Sequence, residues 1–91
     1  MKNLLEQLNA QIKFIKKYKV DAEGLLSLTT YKRGSSTFSF FINEGNANKV
    51  MSKLIEEGYD LTKSNFENSD YLDYRIDFMV DGLQVDFIKK R

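Results

Sequence analysis

The stretch from Tyr71 to Lys90 alternates apolar and polar residues on both sides of an Asp-Gly pair, Asp81-Gly82. That pattern is the strongest short-range signal for two antiparallel strands joined by a two-residue turn. With Asp81 and Gly82 as the turn, Val80 faces Leu83, Phe78 faces Val85 and Ile76 faces Phe87, all on one side of the ribbon. The same register sets Asp77 opposite Asp86 on the other side, with Arg75 two residues along. Like charges directly opposed across two strands destabilise the pair, so this juxtaposition demands a reason.

Upstream, residues 3–19 have helical periodicity. Leu4, Leu5, Leu8, Ile12 and Ile15 fall on one face and are expected to be the buried stripe, with Lys13, Lys16 and Lys17 opposite. Lysines late in a helix also suit the negative end of its dipole. Asp21-Ala22-Glu23-Gly24 is expected to end the helix and turn the chain. Residues 25–32 and 37–43 read as strands forming an antiparallel hairpin around the polar loop Lys32-Arg33-Gly34-Ser35-Ser36. Phe38, Phe40 and Ile42 share a face of the second strand, and so many aromatics suggest a strand covered on both sides near the middle of a sheet. Asn46 reads as the N-cap of a helix over 47–57 whose buried stripe is Ala47, Val50, Met51, Leu54 and Ile55, and Gly58 as its left-handed terminator. A weaker strand spans 59–66, and Lys89-Lys90-Arg91 reads as a frayed basic tail.

The order α-β-β-α-β-β-β predicts one α+β domain over residues 1–91, a mostly antiparallel sheet of about five strands with both helices on one face. Even-numbered residues from Leu72 to Val80, with Leu83, Val85 and Phe87, would then meet the helices. Tyr71, Asp73, Arg75, Asp77, Met79, Gln84, Asp86 and Ile88 would look outward.

Composition narrows the function. The 91 residues include no Cys and no His, so disulfides, thiolate chemistry and imidazole acid–base chemistry are excluded. The expectation is a non-enzyme with no catalytic residues, no cofactor and no metal site, in a cytoplasmic setting. A divalent ion held by Asp77 and Asp86 alone would have too few ligands on an open sheet. No apolar run is long enough to cross a membrane and no leader is recognisable. Charge is polarised. Residues 1–33 carry seven positive and three negative side chains, and residues 34–88 carry four positive and ten negative.

Two surfaces follow. The first is the outer face of the last hairpin, Tyr71, Asp73, Arg75, Asp77, Met79, Gln84 and Asp86, where carboxylates mix with aromatic and thioether groups as they do at protein interfaces. An incoming Arg or Lys would relieve the Asp77–Asp86 repulsion; the alternative is that Arg75 neutralises the pair within the chain. The second is a nucleic-acid patch of Lys13, Lys16, Lys17, Lys32 and Arg33, which the near-neutral net charge of +1 disfavours. Self-association through the outer face or an edge strand is a third reading.

From Arg33 onward the order of elements resembles the minimal core of nucleotidyltransferases. In that core a Gly-Ser loop leads into a strand with two alternating metal carboxylates, a helix follows, and a later strand supplies a third carboxylate. Gly34-Ser35-Ser36, the helix at 47–57 and Val85-Asp86-Phe87 stand at those places, but Phe38-Ser39-Phe40 occupies the position of the acidic pair. The resemblance therefore implies a relative without the metal chemistry, retained for binding. In size and plainness the chain also resembles the single-domain inhibitors and regulators carried by phages and mobile elements, and its Lys, Asn and Ile content suits an AT-rich bacterial source. The expectation is a protein-binding module, an inhibitor or regulator of a larger enzyme, whose partner has a basic contact surface.

Overall fold

The computed structural model describes residues 4–21, 23, 25–30 and 36–91. Along the chain run α1 (Leu4–Tyr18), β1 (Leu25–Thr30), β2 (Ser36–Phe41), α2 (Ala47–Glu56), β3 (Leu61–Asn65), β4 (Leu72–Val80) and β5 (Leu83–Lys90). The strands form one sheet in the order β1-β2-β5-β4-β3. The fold is α+β, as the element order implies, but the sheet is mixed: one of its four strand pairings is parallel. β2 and β5 run parallel at its centre, while β1–β2, β4–β5 and β3–β4 are antiparallel. The parallel pairing arises because the chain leaves β2 through α2 and returns through the β3–β4 pair, laying β5 beside β2 in the same direction.

The β4–β5 hairpin has the register its alternation implies: Val80 pairs with Leu83, Phe78 with Val85, Asp77 with Asp86 and Ile76 with Phe87. Asp81 and Gly82 have φ of 51° and 81°. Positive φ at both central residues is what a type I′ turn requires and what matches the twist of the flanking strands. Phe87 stacks on Phe40 at 5.4 Å between ring centroids and meets Phe78 edge-on at 5.9 Å. Val85 and Leu83 join them, and Phe14 and Tyr18 from α1 and Ala47, Val50 and Leu54 from α2 complete the same core.

α2 ends as its sequence indicates. Gly58 has φ of 92°, its N–H donates to the Ile55 carbonyl at 3.1 Å, and the Tyr59 N–H donates to the Leu54 carbonyl at 3.1 Å. These are the two bonds of a Schellman cap. The other end differs from expectation. Asn46 precedes the helix but makes no side-chain cap bond. Its amide reaches the exit of α1 instead, where Nδ2 donates to the Lys19 carbonyl at 2.7 Å and Oδ1 accepts the Asp21 N–H at 2.8 Å. α1 stops earlier than its sequence suggests, at Tyr18, and Lys19 takes the left-handed conformation with φ of 51°. Of α2's expected stripe, Ile55 is exposed and Met51 only half-buried.

The main correction concerns which face of α1 is buried. Leu5, Leu8 and Ile12 are 67, 38 and 47% exposed, whereas Gln7, Gln11, Phe14 and Tyr18 are buried. Apolar residues cover about half the helix circumference at 100° per residue. The helix turns the aromatic edge of that arc into the core, because Phe14 and Tyr18, packed with tilted rings at 4.7 Å between centroids, bury more area than the aliphatic edge could. Gln7 and Gln11 lie on the same face and go inward with them.

The C-terminus is also held rather than frayed. Lys89 and Lys90 belong to β5, and Lys90 lies over the Phe41 ring and pairs with Glu44. Arg91 closes the β3–β4 connection: its Nε donates to the Ser69 carbonyl at 2.6 Å, its Nη2 to the Phe66 carbonyl at 2.7 Å, and its backbone N–H to the Tyr71 carbonyl at 2.9 Å.

Candidate functional site

Side chains alternate across a strand, so fixing Phe78, Val85 and Phe87 in the core fixes Arg75, Asp77, Met79, Gln84 and Asp86 on the opposite face of β4 and β5. The pairings extend that face in both directions. Thr62 of β3 is level with Asp77, and Ser39 of β2 is level with Asp86. One polar rung therefore crosses the sheet as Thr62, Asp77, Asp86 and Ser39. Thr62 and Ser39 escaped notice in the sequence because neighbours contributed by other strands depend on strand order, which alternation alone does not determine.

The two carboxyl groups are not equally placed. Asp86 is only 5% exposed. Its Oδ1 accepts a hydrogen bond from Gln84 Nε2 at 3.0 Å and its Oδ2 one from Ser39 Oγ at 3.5 Å. Asp77 is half-buried, and its Oδ1 lies 3.1 Å from Arg75 Nε in an ion pair. Burial, then the hydrogen bond with Asp86 and its charge, pushes the Asp77 carboxyl up to about 6 against the opposing pull of Arg75. One guanidinium thus offsets the repulsion only in part, and the pair holds a proton well above the usual carboxylate range.

Beside Asp77 an open groove of about 570 Å³ is lined by Gly58, Tyr59, Asp60, Thr62, Phe78, Met79 and Gln84. Met79 stands 59% exposed at its edge. Asp60 adds a second carboxylate to the lining beside Asp77. Among the described residues no group of three or more carboxylates is arranged to hold a metal ion.

Not all the residues singled out from the sequence come together here. Arg75, Asp77, Met79, Gln84 and Asp86 share the central part of the outer face. Asp86 is a buried member rather than an outward one, because Gln84 and Ser39 close over it. Tyr71 precedes β4 and is fully displayed to solvent, about 20 Å along the strand from Asp77 at roughly 3.3 Å per residue. Asp73 lies at an irregularity in the pairing between Leu72 and Tyr74, with Arg91 Nη1 3.9 Å away. Tyr71 and Asp73 therefore belong to the far end of the face.

The basic set is divided too. Lys13, Lys16 and Lys17 line a groove of about 900 Å³ between α1 and the β4–β5 turn, but Glu6 and Asp81 line it as well. Lys17 Nζ is 3.5 Å from Glu57 Oε2, an exposed pair of small value. Lys32 and Arg33, the second element of that patch, lie outside the described residues.

Glu57 also accepts a 2.6 Å hydrogen bond from the Tyr18 hydroxyl, linking the C-terminal ends of the two helices. That bond, with the charge of Lys17, holds the Glu57 carboxyl below its usual value, and burial together with Glu57 pushes the Tyr18 hydroxyl up. The coupling is structural: both groups keep their ordinary charge states at neutral pH.

Comparison with protein-family models, curated proteins and solved structures gives no match for this chain. No helix among the described residues is long and apolar enough to cross a membrane.

Proposed function

We propose that the protein is a non-enzymatic binding module, an inhibitor or regulator of a larger enzyme, that receives a cationic side chain of its partner on the outer face of β4 and β5. The observation that carries this reading is the Asp77–Asp86 pair, two opposed carboxyl groups of which Asp77 alone is paired with the Arg75 guanidinium. A second cation entering the groove between Met79, Thr62 and Gln84 would displace the shared proton and complete the neutralisation. Met79 supplies an exposed, adaptable apolar contact beside it. In the layout that resembles a nucleotidyltransferase core, Asp86 stands at the third carboxylate position and Phe38-Ser39-Phe40 occupies the place of the acidic pair. Binding without metal chemistry is the role that substitution would leave.

The burial of Asp86 determines how the reading is tested. Reversing Asp86 would bury a lysine and unfold the sheet, so the variants belong at Asp77 and Met79. Wild-type protein and the Asp77→Asn/Met79→Lys variant would be compared as baits in extract of the source cells, after thermal melts establish that both are folded. Partner capture should fall at least tenfold for the variant and weaken as pH drops below about 6, where Asp77 is protonated. Equal capture by both proteins would sink the proposal. Arg-rich peptide titrated into labelled protein gives an independent check, with the largest shifts expected at Asp77, Met79 and Gln84.

A further inference from the structure

We propose that the partner's cation is delivered by an extended segment that adds antiparallel to the free edge of β3, with a basic residue opposite Thr62 and an acidic one opposite Ser64. This mode of delivery rests on Asp77 being the cation acceptor proposed above. β3 is the last strand of the sheet, and two observations give its backbone phase. The Phe66 N–H donates to the Asp73 carbonyl at 2.9 Å, one step beyond the pairing of Asn65 with Tyr74. A two-residue turn makes Val80 and Leu83 a hydrogen-bonded pair, and alternation along β4 then aims the Asp77 backbone at Thr62. Both put Thr62 and Ser64 in bonded pairs with β4, so the N–H and C=O groups of Leu61, Lys63 and Asn65 point out from the sheet. Among the described residues no other backbone reaches them. Such a row of open donors and acceptors is completed by the main chain of an added strand.

Charge and reach select the occupant. The groove beside Asp77 takes in Asp60 and Thr62, so it extends to the edge strand itself. In an added antiparallel strand the residue opposite Thr62 falls in a non-hydrogen-bonded pair, where side chains are closest, and on the same outer face as Asp77. Strands lie about 4.8 Å apart, which sets that residue about 10 Å from Asp77. A lysine or arginine laid across the short Thr62 side chain spans the gap with a charge-assisted hydrogen bond of about 2.8 Å, and shorter side chains do not. Two residues along, Arg75 is level with Ser64, and there an acidic residue is favoured. From its N-terminus the segment therefore reads acidic, any residue, basic.

A second copy of this chain does not supply that segment. The outward groups of one β3 pair with the outward groups of another, so in every antiparallel register the second copy presents Asp60, Thr62 and Ser64 on the outer face, and none is basic. β1, at the opposite edge of the sheet, has no basic residue between Leu25 and Thr30. A helix bonds its own main chain and would leave the edge groups bare, and a nucleic-acid backbone would bring phosphates against Asp60 and Asp77. A lysine on an edge strand commonly repels a newcomer. Here the Lys63 ammonium lies 4.2 Å from the centroid of the Tyr74 ring in β4, drawn back over its own sheet on the face away from Thr62.

The probe is the fluorophore-labelled peptide amide Thr-Val-Glu-Thr-Arg-Val-Thr, titrated with protein up to about 1 mM. Binding should be saturable, and the amides of Leu61, Lys63 and Asn65 should gain about tenfold or more protection from hydrogen exchange, whereas Thr62 and Ser64 are already bonded to β4. N-methylation of the threonine between Glu and Arg, which sits opposite Lys63, should weaken binding about tenfold or more by removing a ladder donor. Lys63→Pro should do the same, because its N–H points outward and the β3–β4 ladder stays whole; the N-methylated peptide carries this arm if melts show that variant unfolded. Exchanging Glu and Arg in the peptide should weaken binding about fivefold. Replacing Arg by norleucine, or Asp77→Asn in the protein, tests the cation acceptor by itself and should cost about tenfold. Undiminished binding of the N-methylated peptide, with loss in the norleucine and Asp77→Asn arms, overturns strand addition and leaves the cation acceptor standing. Equal binding of the norleucine peptide overturns the cation acceptor and this mode of delivery with it. The proposal is also overturned if the charge-exchanged peptide binds as tightly as the parent, or if the parent does not bind at any concentration.

Discussion

The C-terminal hairpin and α1 are both amphipathic, yet their patterns translate into structure differently. In β4–β5 the side expected to be buried is buried, from Val80 and Leu83 to Phe78, Val85 and Phe87. In α1 the expected stripe of Leu5, Leu8 and Ile12 faces out, and Gln7, Gln11, Phe14 and Tyr18 face in. A strand offers two faces, so a one-residue error would expose every apolar side chain at once. A helix whose apolar arc covers about half its circumference can rotate continuously, and the side chains with the most area to bury decide where it stops.

The largest expected effects test this contrast directly. Phe87→Ala and Phe14→Ala should each cost about 3–5 kcal/mol, the range for emptying a buried aromatic site. Leu5→Ala, on the same helix as Phe14, should change stability by less than about 0.5 kcal/mol, as exposed positions do. Urea denaturation of dilute protein measures all three. If Leu5→Ala proved as costly as Phe14→Ala, the helix would be rotated toward the orientation its sequence suggests.

The next effect separates the two polar clusters. The Asp77 carboxyl is raised from 3.8 to about 6, so the folded state binds its proton more tightly than the unfolded chain does. Its contribution to stability is fully present below about pH 4 and is lost as pH rises through about 6. Asp77→Asn should remove that loss and raise stability at pH 8 by about 1–2 kcal/mol, once the forfeited Arg75 ion pair is subtracted from the shift. Glu57 behaves in the opposite sense: its lowered carboxyl contributes stability above the ordinary carboxylate range that fades as pH falls through its folded value. Tyr18→Phe should therefore flatten the acid limb and leave the step near pH 6 in place. Chemical denaturation at half-unit intervals of pH resolves the two.

How much was legible follows from the same physics. The Asp81-Gly82 turn and the β4–β5 register can be read residue by residue, because one turn type and one alternation suffice to fix them. So can Gly58, where a left-handed residue must stand. The parallel pairing of β2 with β5 cannot, since strand order depends on which sheet edge the returning chain finds. For that reason the facing residues Asp77 and Asp86 were apparent while Ser39 and Thr62, which complete the rung, were not. Asn46 is a related case: an asparagine before a helix signals a cap, but here its amide is taken by the Lys19 carbonyl and the Asp21 N–H. Arg91 shows the same limit at the chain end, where three carbonyl groups of the β3–β4 connection turn an expected tail into a clasp.

The smallest effect concerns the backbone at the two left-handed sites that end α1 and turn the hairpin. Gly82, with φ of 81°, follows the sequence rule, and Gly82→Ala should cost about 1 kcal/mol through the β-carbon's clash in that region. Lys19, with φ of 51°, breaks the rule at the position where α2 has Gly58. The Val20 N–H reaches the Ile15 carbonyl at 3.1 Å, so the cap geometry forms despite the side chain. Lys19→Gly should relieve that strain and raise stability, by at most about 1 kcal/mol, because glycine's extra freedom in the unfolded chain offsets part of the gain. Paired melts of Lys19→Gly and Gly82→Ala should move in opposite directions. A loss of stability in Lys19→Gly would mean that Asn46's hold on the Lys19 carbonyl, rather than the left-handed residue itself, sets the end of α1.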